Sequence, residues 1–188
     1  MRAATARGAI VAALAACGAL ASSLVANAQT PPSGCTSIAG VPPIYSGIEF
    51  GAAIEGIFTN YNGMGNGCAD CHTTNGGSTM PTGELDLDPA DTPSPYVNLL
   101  GMNRDGVDSP LYAGYVYVVP NHPEQSLLFM KVDCDNPGAG ARMPLNNYMG
   151  GLSVQQIALI YDWIAEGAPA GTTDGIFRNG FDIRGFNQ

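Results

Sequence analysis

Hydrophobic residues recur with helical spacing in two stretches of the chain. In the first, from Tyr45 to Tyr61, apolar side chains return every three or four positions and predict an amphipathic helix. Ser46 and Glu49 are spaced as in a capping box, and Tyr45 and Phe50 stand where a hydrophobic staple would close. The pattern therefore predicts a helix that is capped at Ser46.

The second stretch begins after Leu152, where Ser153 and Gln156 repeat the capping box. Gly167 and Pro169 end the predicted helix, because glycine favours the position after a helix and proline cannot continue one. The apolar face of this helix carries Ile157, Ile160, Tyr161 and Ile164. Two amphipathic helices of this kind, one near each end of the domain, predict a pair of terminal helices packed across each other.

The chain between these helices is rich in glycine and proline, which predicts loops with few regular elements. Short helices are predicted over Pro93–Gly101 and Pro123–Lys131, the second with Asn121 and Glu124 in capping positions. The segment Tyr112–Val119 is rich in tyrosine and valine and is predicted to be extended.

The first 28 residues have the pattern of an export signal that is removed from the mature protein. Arg2 and Arg7 form a short basic region, an apolar run covers Gly8–Val25, and an A-x-A cleavage site ends at Ala28. The run is short and lacks a flanking stop-transfer charge, so a transmembrane segment is the weaker interpretation. The residues before Cys17 also resemble a lipobox, in which Cys17 would carry a lipid anchor. Both interpretations predict export from the cytoplasm.

The mature chain is strongly acidic. Loss of Arg2 and Arg7 with the signal leaves five basic residues against sixteen acidic residues, a formal charge of −11. Lys131 is the only lysine. A surface of this charge repels nucleic acid and anionic membranes, and it favours a partner with a basic docking patch. The roughly 160 residues that remain after cleavage are the size of one domain.

The residues Cys68-Ala69-Asp70-Cys71-His72 carry the most specific chemical signal in the chain. C-x-x-C-H is the attachment pattern of a c-type haem. Two thiols one helical turn apart can add to the two haem vinyl groups, and the adjacent histidine then reaches the iron from the same face. Because the pattern occurs once, we expect one haem per chain.

Three other interpretations of this motif compete with haem attachment. A thioredoxin-like dithiol expects a preceding strand and a βαβ unit, whereas a glycine- and asparagine-rich turn, Asn62–Gly67, precedes Cys68. A structural zinc site needs two more Cys or His ligands at short spacing, and His122 and Cys134 are distant. A plain disulfide is the third. Haem attachment is the preferred interpretation.

An electron-transfer haem with six ligands needs a second axial ligand, for which we select Met143. It lies between the haem motif and the C-terminal helix, and a following proline would stiffen its loop. Met80 follows His72 too closely to pass round the haem edge. His122 is the main rival, although its setting between two prolines is typical of an exposed helix start. Core packing is the ordinary role of methionine, and four others have less persuasive settings: Met64, Met102, Met130 and Met149.

With these features in place, the chain resembles class I c-type cytochromes and, more closely, the planctomycete-type cytochrome-c-like domain of exported bacterial proteins. The resemblance covers residues 45–168. The matching elements occur in one order along the chain: Ile57-Phe58, Cys68–His72, Gly83-Glu84-Leu85-Asp86-Leu87, Tyr96–Leu100, Val119–Leu128, Arg142-Met143-Pro144, Leu152-Ser153 and Ile160–Ala168.

The resemblance implies an all-α fold around one covalently attached haem c. It implies attachment of the haem at Cys68 and Cys71, with His72 and Met143 as the two iron ligands. It also implies that residues 45–168 of this chain form the complete monohaem domain.

Three further implications concern single positions. A polar residue is usual where His122 stands, which weakens His122 as an iron ligand. Cys134 is expected to form a disulfide, and Cys35 is the obvious partner within the mature chain. The turn Asn62–Gly67 departs from the family pattern and lengthens the approach to the haem.

Other segments carry weaker signals. Asp86, Asp88 and Asp91 have the spacing of calcium ligands, but we expect them to be solvated turn and cap residues. The segment 29–44 is an N-terminal extension. The C-terminal tail, 169–188, alternates aromatic, basic and glycine residues, which is typical either of a docking or sorting element or of a tail that folds back on the domain.

These features together predict an electron-transfer protein and not an enzyme. The expected function is that of a one-electron carrier in the periplasm or on the outer surface of a Gram-negative-type bacterium, with a basic redox protein as its partner. Two alternatives stay open. The haem could exchange its distal ligand for a small molecule, as in a sensor or a peroxidase, or the domain could be the electron-accepting docking module of a larger secreted complex.

Overall fold

The computed structural model describes three stretches of the chain and two residues that precede them: 46–74, 81–145, 150–171, Cys35 and Ile38. Several predicted features lie outside the described residues: the signal peptide with Cys17, most of the N-terminal extension, Met80, Met149 and the tail after Gly171. What was predicted for them stays a prediction.

Regular structure in the described residues is helical, and extended segments there meet only in isolated bridges. A π-helical turn, Phe50–Ile54, continues into helix α1, Glu55–Asn60. The remaining helices are α2, Pro95–Leu100; α3, Leu127–Asp133; and α4, Val154–Ala165. Single 3₁₀ turns cover Cys68–Asp70, Thr82–Glu84 and Pro123–Gln125. The prediction of an all-α architecture is confirmed at this level.

The predicted start of the first helix at Ser46 is wrong. Helical turns begin at Phe50, preceded by an extended residue whose side chain makes no capping hydrogen bond. The chain before it bends toward α4, because the amides of Gly47 and Ile48 each donate a hydrogen bond of 3.0 Å to the carboxylate of Glu166. These long-range bonds hold the segment in a non-helical path that the local pattern does not reveal.

The predicted start of α4 is confirmed. The amide of Gln156 donates to Oγ of Ser153 at 3.2 Å, and the amide of Ser153 donates to Oε1 of Gln156 at 2.9 Å. The helix ends at Ala165, and Gly167 follows with a φ of +89°, a conformation that glycine adopts without strain.

The first helical segment and α4 pack together and run antiparallel. Near one end, the ring centroids of Phe50 and Trp163 are 5.5 Å apart. Near the other end, the side-chain amide of Gln156 donates to the carbonyl of Tyr61 at 2.6 Å. Because both ends meet, the predicted pairing of the two helices is confirmed. The largest fully buried side chains of the core are Trp163, Phe50, Phe58, Phe129 and Ile54.

The predicted helix over Pro123–Lys131 is divided in two. Ser126 is extended, with φ −90° and ψ 120°, between a 3₁₀ turn and α3. Its hydroxyl accepts from the amide of Val119 at 2.8 Å and donates to the carbonyl of His122 at 2.9 Å, and its backbone forms a bridge with Val116. Tertiary bonds from the preceding extended segment therefore interrupt the helix.

A disulfide joins Cys35 to Cys134, which confirms the pairing that the resemblance implies. Cys134 directly follows α3, so the bond ties the N-terminal extension to the end of that helix across 99 positions of sequence. No helix in the part of the chain that the structure describes is long and apolar enough to cross a membrane.

Candidate haem-attachment site

A hydrogen-bonded turn connects α1 to the C-x-x-C-H motif. The amide of Tyr61 donates to the carbonyl of Asn66 at 2.9 Å, and the side chain of Asn62 accepts from the amide of Asn66 at 3.4 Å. Gly67 then passes so close to the backbone of Phe58 that a Cβ atom would overlap the Phe58 carbonyl. The glycine- and asparagine-rich turn therefore returns the motif to the end of α1.

The motif residues wind into one helical turn. The amides of His72 and Cys71 donate to the carbonyl of Cys68, at 2.9 Å and 3.2 Å. The carboxylate of Asp70 accepts from the amide of Gly67 at 3.2 Å, which closes the start of the turn. The structure thus brings the three predicted site residues of the motif together on a single short segment.

Both motif cysteines are free thiols. Cys68 packs against the hydrophobic core, whereas Cys71 is exposed. Burial, with the nearby charge of Asp70 as a smaller contribution, raises the pKa of the Cys68 thiol to about 12. Redox-active dithiols have lowered thiol pKa values, so this environment is unlike that of a thioredoxin-like centre.

His72 is oriented by a backbone carbonyl. Its Nδ1 lies 3.2 Å from the carbonyl oxygen of Leu85, which assigns the proton to Nδ1 and leaves the Nε2 lone pair for a ligand. Burial lowers the pKa of His72, so the imidazole is neutral at physiological pH. Metal-binding histidines commonly have this arrangement, a neutral ring whose second nitrogen donates to a carbonyl.

The Leu85 carbonyl reaches the imidazole because two backbone segments lie side by side. The amide of Leu87 donates to the carbonyl of His72 at 2.8 Å, and the amide of Thr82 donates to the carbonyl of Cys71 at 3.2 Å. The segment that contains the 3₁₀ turn Thr82–Glu84 therefore forms one wall of the site.

Two threonines that follow the motif are held by the next loop. The hydroxyl of Thr73 donates to Asp88 at 2.9 Å, and that of Thr74 donates to Asp91 at 2.7 Å. Asp86 accepts from the amide of Asp88 at 2.9 Å. These aspartates are the turn and cap residues that we expected. No three His, Cys, Asp or Glu side chains of the described residues converge as metal ligands.

Met143 lies on a separate loop after α3, and its amide donates to the carbonyl of Lys131 at 2.7 Å. The ammonium of Lys131 turns back onto this loop, where it donates to the carbonyl of Ala141 at 3.1 Å and lies 4.9 Å from the ring centroid of Tyr112. Burial is the main cause of the low pKa of His72, and the positive charge of Lys131 is a smaller cause. The ammonium therefore lies within electrostatic range of the imidazole. Lys131 thus contacts the Met143 loop and affects the imidazole of the motif only through its charge.

Three of the described alternatives to Met143 lie at the surface, His122, Met64 and Met102, whereas Met130 is half-buried against the core. Fifty-three per cent of the His122 side chain is exposed, and its Nδ1 lies 3.4 Å from the carboxylate of Glu124. His122 directly precedes the 3₁₀ turn Pro123–Gln125, the exposed helix start that its sequence setting predicts. Met64 and Met102 are 72% and 73% exposed, which disfavours both as ligands of an enclosed haem.

The groups of the motif are compatible with the attachment of a c-type haem. Two free thiols on one turn and a neutral, oriented imidazole are the groups that haem c attachment uses. A thioredoxin-like dithiol would need a βαβ unit, and the described residues form helices and no strand. A zinc site would need further converging ligands, which the described residues lack.

Sequence reasoning missed the groups that support the motif. The Leu85 carbonyl orients His72, and a backbone carbonyl carries no residue-type signal. The threonine–aspartate bonds join residues that are 15 and 17 positions apart, and local patterns do not report such pairs. Lys131 could have been selected from the sequence, because it is the only lysine of a strongly acidic chain.

Comparison of the chain with protein-family models, with curated proteins and with solved structures finds no match. The functional argument therefore depends on the motif and on the geometry of the residues around it.

Proposed function

We propose that this chain is an exported, single-haem c-type cytochrome that carries one electron between partner proteins. Haem c would be attached through Cys68 and Cys71, with His72 as one axial ligand of the iron and Met143 as the other. The observation that carries the proposal is the hydrogen bond from Nδ1 of His72 to the carbonyl of Leu85, on a turn that also presents two free thiols.

A haem held by these residues would supply a one-electron iron couple. His72 holds its proton on Nδ1, so Nε2 is free to act as a ligand without a proton leaving. The backbone bonds from Thr82 and Leu87 to the motif fix the position of the ring. A ligand that is held this firmly moves little when the charge of the site changes, which keeps the reorganisation energy of electron transfer small.

Met143 would provide a thioether, which favours the reduced state of a haem and raises its potential. Its loop is fastened to α3 at neighbouring points. The amide of Met143 binds the carbonyl of Lys131 at 2.7 Å, and Nε of Arg142 donates to the carbonyl of Val132 at 3.2 Å. These bonds support the loop in a defined position, as a weak axial ligand requires.

The charge distribution favours a basic partner. The basic side chains of the described residues all contact groups of the chain itself: Arg104 lies over the ring of Tyr96, Lys131 lies over Tyr112, and Arg142 binds Asp135. The acidic surface is therefore largely uncompensated. It would steer a positively charged redox protein, and the rate of electron transfer would fall as salt screens the attraction.

The role of Met143 can be tested with Met143→Ala and with Met102→Ala as a matched control on an exposed methionine. The oxidised wild-type protein and the control should show the sulfur-to-iron charge-transfer band, and their reduced forms should react slowly with carbon monoxide. Met143→Ala should lose the band and bind carbon monoxide promptly. A band that survives in Met143→Ala would place the ligand elsewhere.

The same measurement separates electron transfer from the small-ligand alternative. Prompt binding of carbon monoxide by the reduced wild-type protein would indicate an open distal site and favour a sensor or peroxidase function. The third possibility, a docking module of a larger complex, depends on the tail after Gly171, which lies outside the described residues.

A further inference from the structure

A cleft of about 530 Å³ opens beside the proposed haem site. Apolar side chains form much of its wall, and three carboxylates stand among them: Leu85, Val97 and Val107 with Glu84, Asp86 and Asp108. No basic side chain of the described residues lines it. The cleft therefore offers an apolar surface and several negative charges to a ligand from outside.

The cleft is separate from the attachment site but adjoins it. The described residues that line it do not include Cys68, Cys71 or Met143. Leu85 lines the cleft, and its carbonyl accepts the hydrogen bond from Nδ1 of His72 at 3.2 Å. A group seated in the cleft would therefore be one residue and one hydrogen bond away from the proposed iron ligand.

Asp86, one of the three carboxylates of the cleft, is crowded by like charges of the adjoining loop. Burial is the main cause of the raised pKa of Asp86, and the neighbouring carboxylates of Asp91 and Asp88 raise it further. Among the described residues, no basic side chain lines the cleft to relieve this repulsion. A cation from a partner would find an unneutralised negative site.

Tyr117 adds an independent polar feature to the cleft wall. Its side chain is 6% exposed, and its hydroxyl has no hydrogen-bond partner among the described residues. Burial is the main cause of the raised pKa of Tyr117, and the charge of Glu84 raises it further. Ser109 lies close enough to lower this pKa, but it forms no hydrogen bond of good geometry with the Tyr117 hydroxyl. Glu84 therefore lies within electrostatic range of this hydroxyl.

We propose that this cleft is the docking surface for a lysine- or arginine-rich segment of the protein that exchanges electrons with this chain. The methylene stems of such side chains would lie on the apolar wall while their charged ends reach the carboxylates. With haem bound, one electron would pass between the redox group of the partner and the iron, so one would be oxidised as the other is reduced and no atom would be transferred. The inference rests on the proposed function.

The test uses the haem-loaded protein and two probes at low ionic strength. A ten-lysine peptide is titrated against the ¹⁵N-labelled, reduced protein and followed by amide chemical shifts. Hexaammineruthenium(II), which gives up one electron to become ruthenium(III), reduces the oxidised protein in a stopped-flow instrument. The peptide should shift amides around Val97 and Val107, and it should slow the reduction by competing for the cleft.

Two double variants separate the cleft from the general acidity of the surface. Glu84→Gln with Asp108→Asn removes two charges of the cleft, and Asp105→Asn with Glu124→Gln removes two charges elsewhere. The cleft pair should weaken peptide binding and slow the reduction roughly fivefold more than the control pair. Both pairs reduce the long-range attraction, but only the cleft pair also removes charges that contact the bound cation.

Four outcomes would overturn the inference. Equal effects of the two pairs would assign the attraction to the whole acidic surface. Weaker peptide binding with an unchanged reduction rate would mean that electrons do not enter at the cleft. A changed absorption spectrum of the oxidised cleft pair would make the cleft part of the haem pocket. A protein that lacks a haem spectrum but still binds the peptide would refute the proposed function itself, a failure that the spectrum identifies before any variant is made.

Discussion

His72 depends on a carbonyl that stands thirteen positions further along the chain. The imidazole, the two thiols and their spacing are visible in the sequence, because the proposed haem attachment would require those residue types at those positions. The acceptor that selects the tautomer is a main-chain atom of Leu85. Its position follows from the path of the backbone and not from the leucine side chain, so a pattern of residue types cannot predict it.

Lys131 supplies a test of how Met143, the proposed second ligand, is held. Lys131→Met keeps an unbranched stem and removes the ammonium that binds Ala141 and lies over Tyr112. We expect the Met143 loop to loosen, so that the sulfur-to-iron band weakens and the reduced variant binds carbon monoxide faster than the wild type.

Arg104→Met is the matched control for Lys131→Met. It removes a cation that lies 5.3 Å from the ring centroid of Tyr96, away from the Met143 loop, and it should leave the band unchanged. Identical spectra of Lys131→Met and the wild type would refute the supporting role of Lys131.

The crowding of Asp86 gives a prediction with a defined pH dependence. Burial and the neighbouring carboxylates raise its pKa, so the folded state disfavours the ionised form, and above that pKa the charge destabilises the fold. Asp86→Asn removes the charge and keeps an oxygen for the amide of Asp88. At neutral pH the variant should be more stable by up to about 0.5 kcal/mol, since the group is close to solvent.

Urea unfolding at two pH values checks the sign of this effect. At pH 3 Asp86 is protonated in the folded wild-type protein, so the gain from Asp86→Asn should vanish there. A gain of the same size at both pH values would mean that the charge of Asp86 is not its cause.

At the scale of elements, the close approach of Gly67 to Phe58 positions the motif against α1. A Cβ at position 67 would overlap the carbonyl of Phe58, so Gly67→Ala should destabilise the protein by about 1–3 kcal/mol. Gly56→Ala is the control within α1, where a Cβ meets nothing within 4 Å and should stabilise the helix by about 0.5–1 kcal/mol. Denaturant unfolding of both variants should give changes of opposite sign, and a shared sign would contradict the close approach.

The two capping boxes of the sequence make a second matched pair. Ser153→Ala removes the acceptor for the amide of Gln156 and should cost about 0.5–2 kcal/mol of unfolding free energy. Ser46→Ala should change it by less than about 0.5 kcal/mol, because Ser46 is exposed and the helical turns begin only at Phe50. Equal losses of unfolding free energy in the two variants would support the helix start at Ser46 that the sequence predicted.

These two serines also show the limit of local patterns. Both boxes begin with a serine and carry Glu or Gln three positions later, yet only the second begins a helix. The difference comes from Glu166, whose carboxylate accepts hydrogen bonds from the amides of Gly47 and Ile48, more than 110 positions away in sequence. Amphipathic faces and glycine ends could be predicted because they act within one helix. Helix starts set by tertiary hydrogen bonds could not.

At the scale of the whole molecule, the disulfide between Cys35 and Cys134 closes a separation of 99 positions. A cross-link of this span restricts the unfolded chain, and its loss should cost about 2–5 kcal/mol. Thermal unfolding of Cys134→Ser should therefore begin at a clearly lower temperature than that of the wild type. With any haem iron kept in the reduced state in every sample, a disulfide reductant should lower the midpoint of the wild type and leave the variant unchanged; a reductant that affects both equally would contradict this cause.

The acidic charge of the whole molecule was visible in the sequence, whereas its local consequences were not. Composition predicts a basic partner, because five basic residues face sixteen acidic residues in the mature chain. It does not reveal that Glu84, Asp86 and Asp108 line one cleft, because these residues come together only when the loop after the motif packs near α2.

The measurement that tests the central claim most directly is the intact mass and the reduced absorption spectrum of the mature protein, purified from a bacterium that attaches haem to exported proteins. The account predicts a mass larger than that of the polypeptide by one haem, and a c-type spectrum that survives denaturation because the haem is bonded to Cys68 and Cys71. Both should disappear in Cys68→Ser with Cys71→Ser. A mature wild-type chain with the mass of the polypeptide alone and no haem spectrum would contradict it.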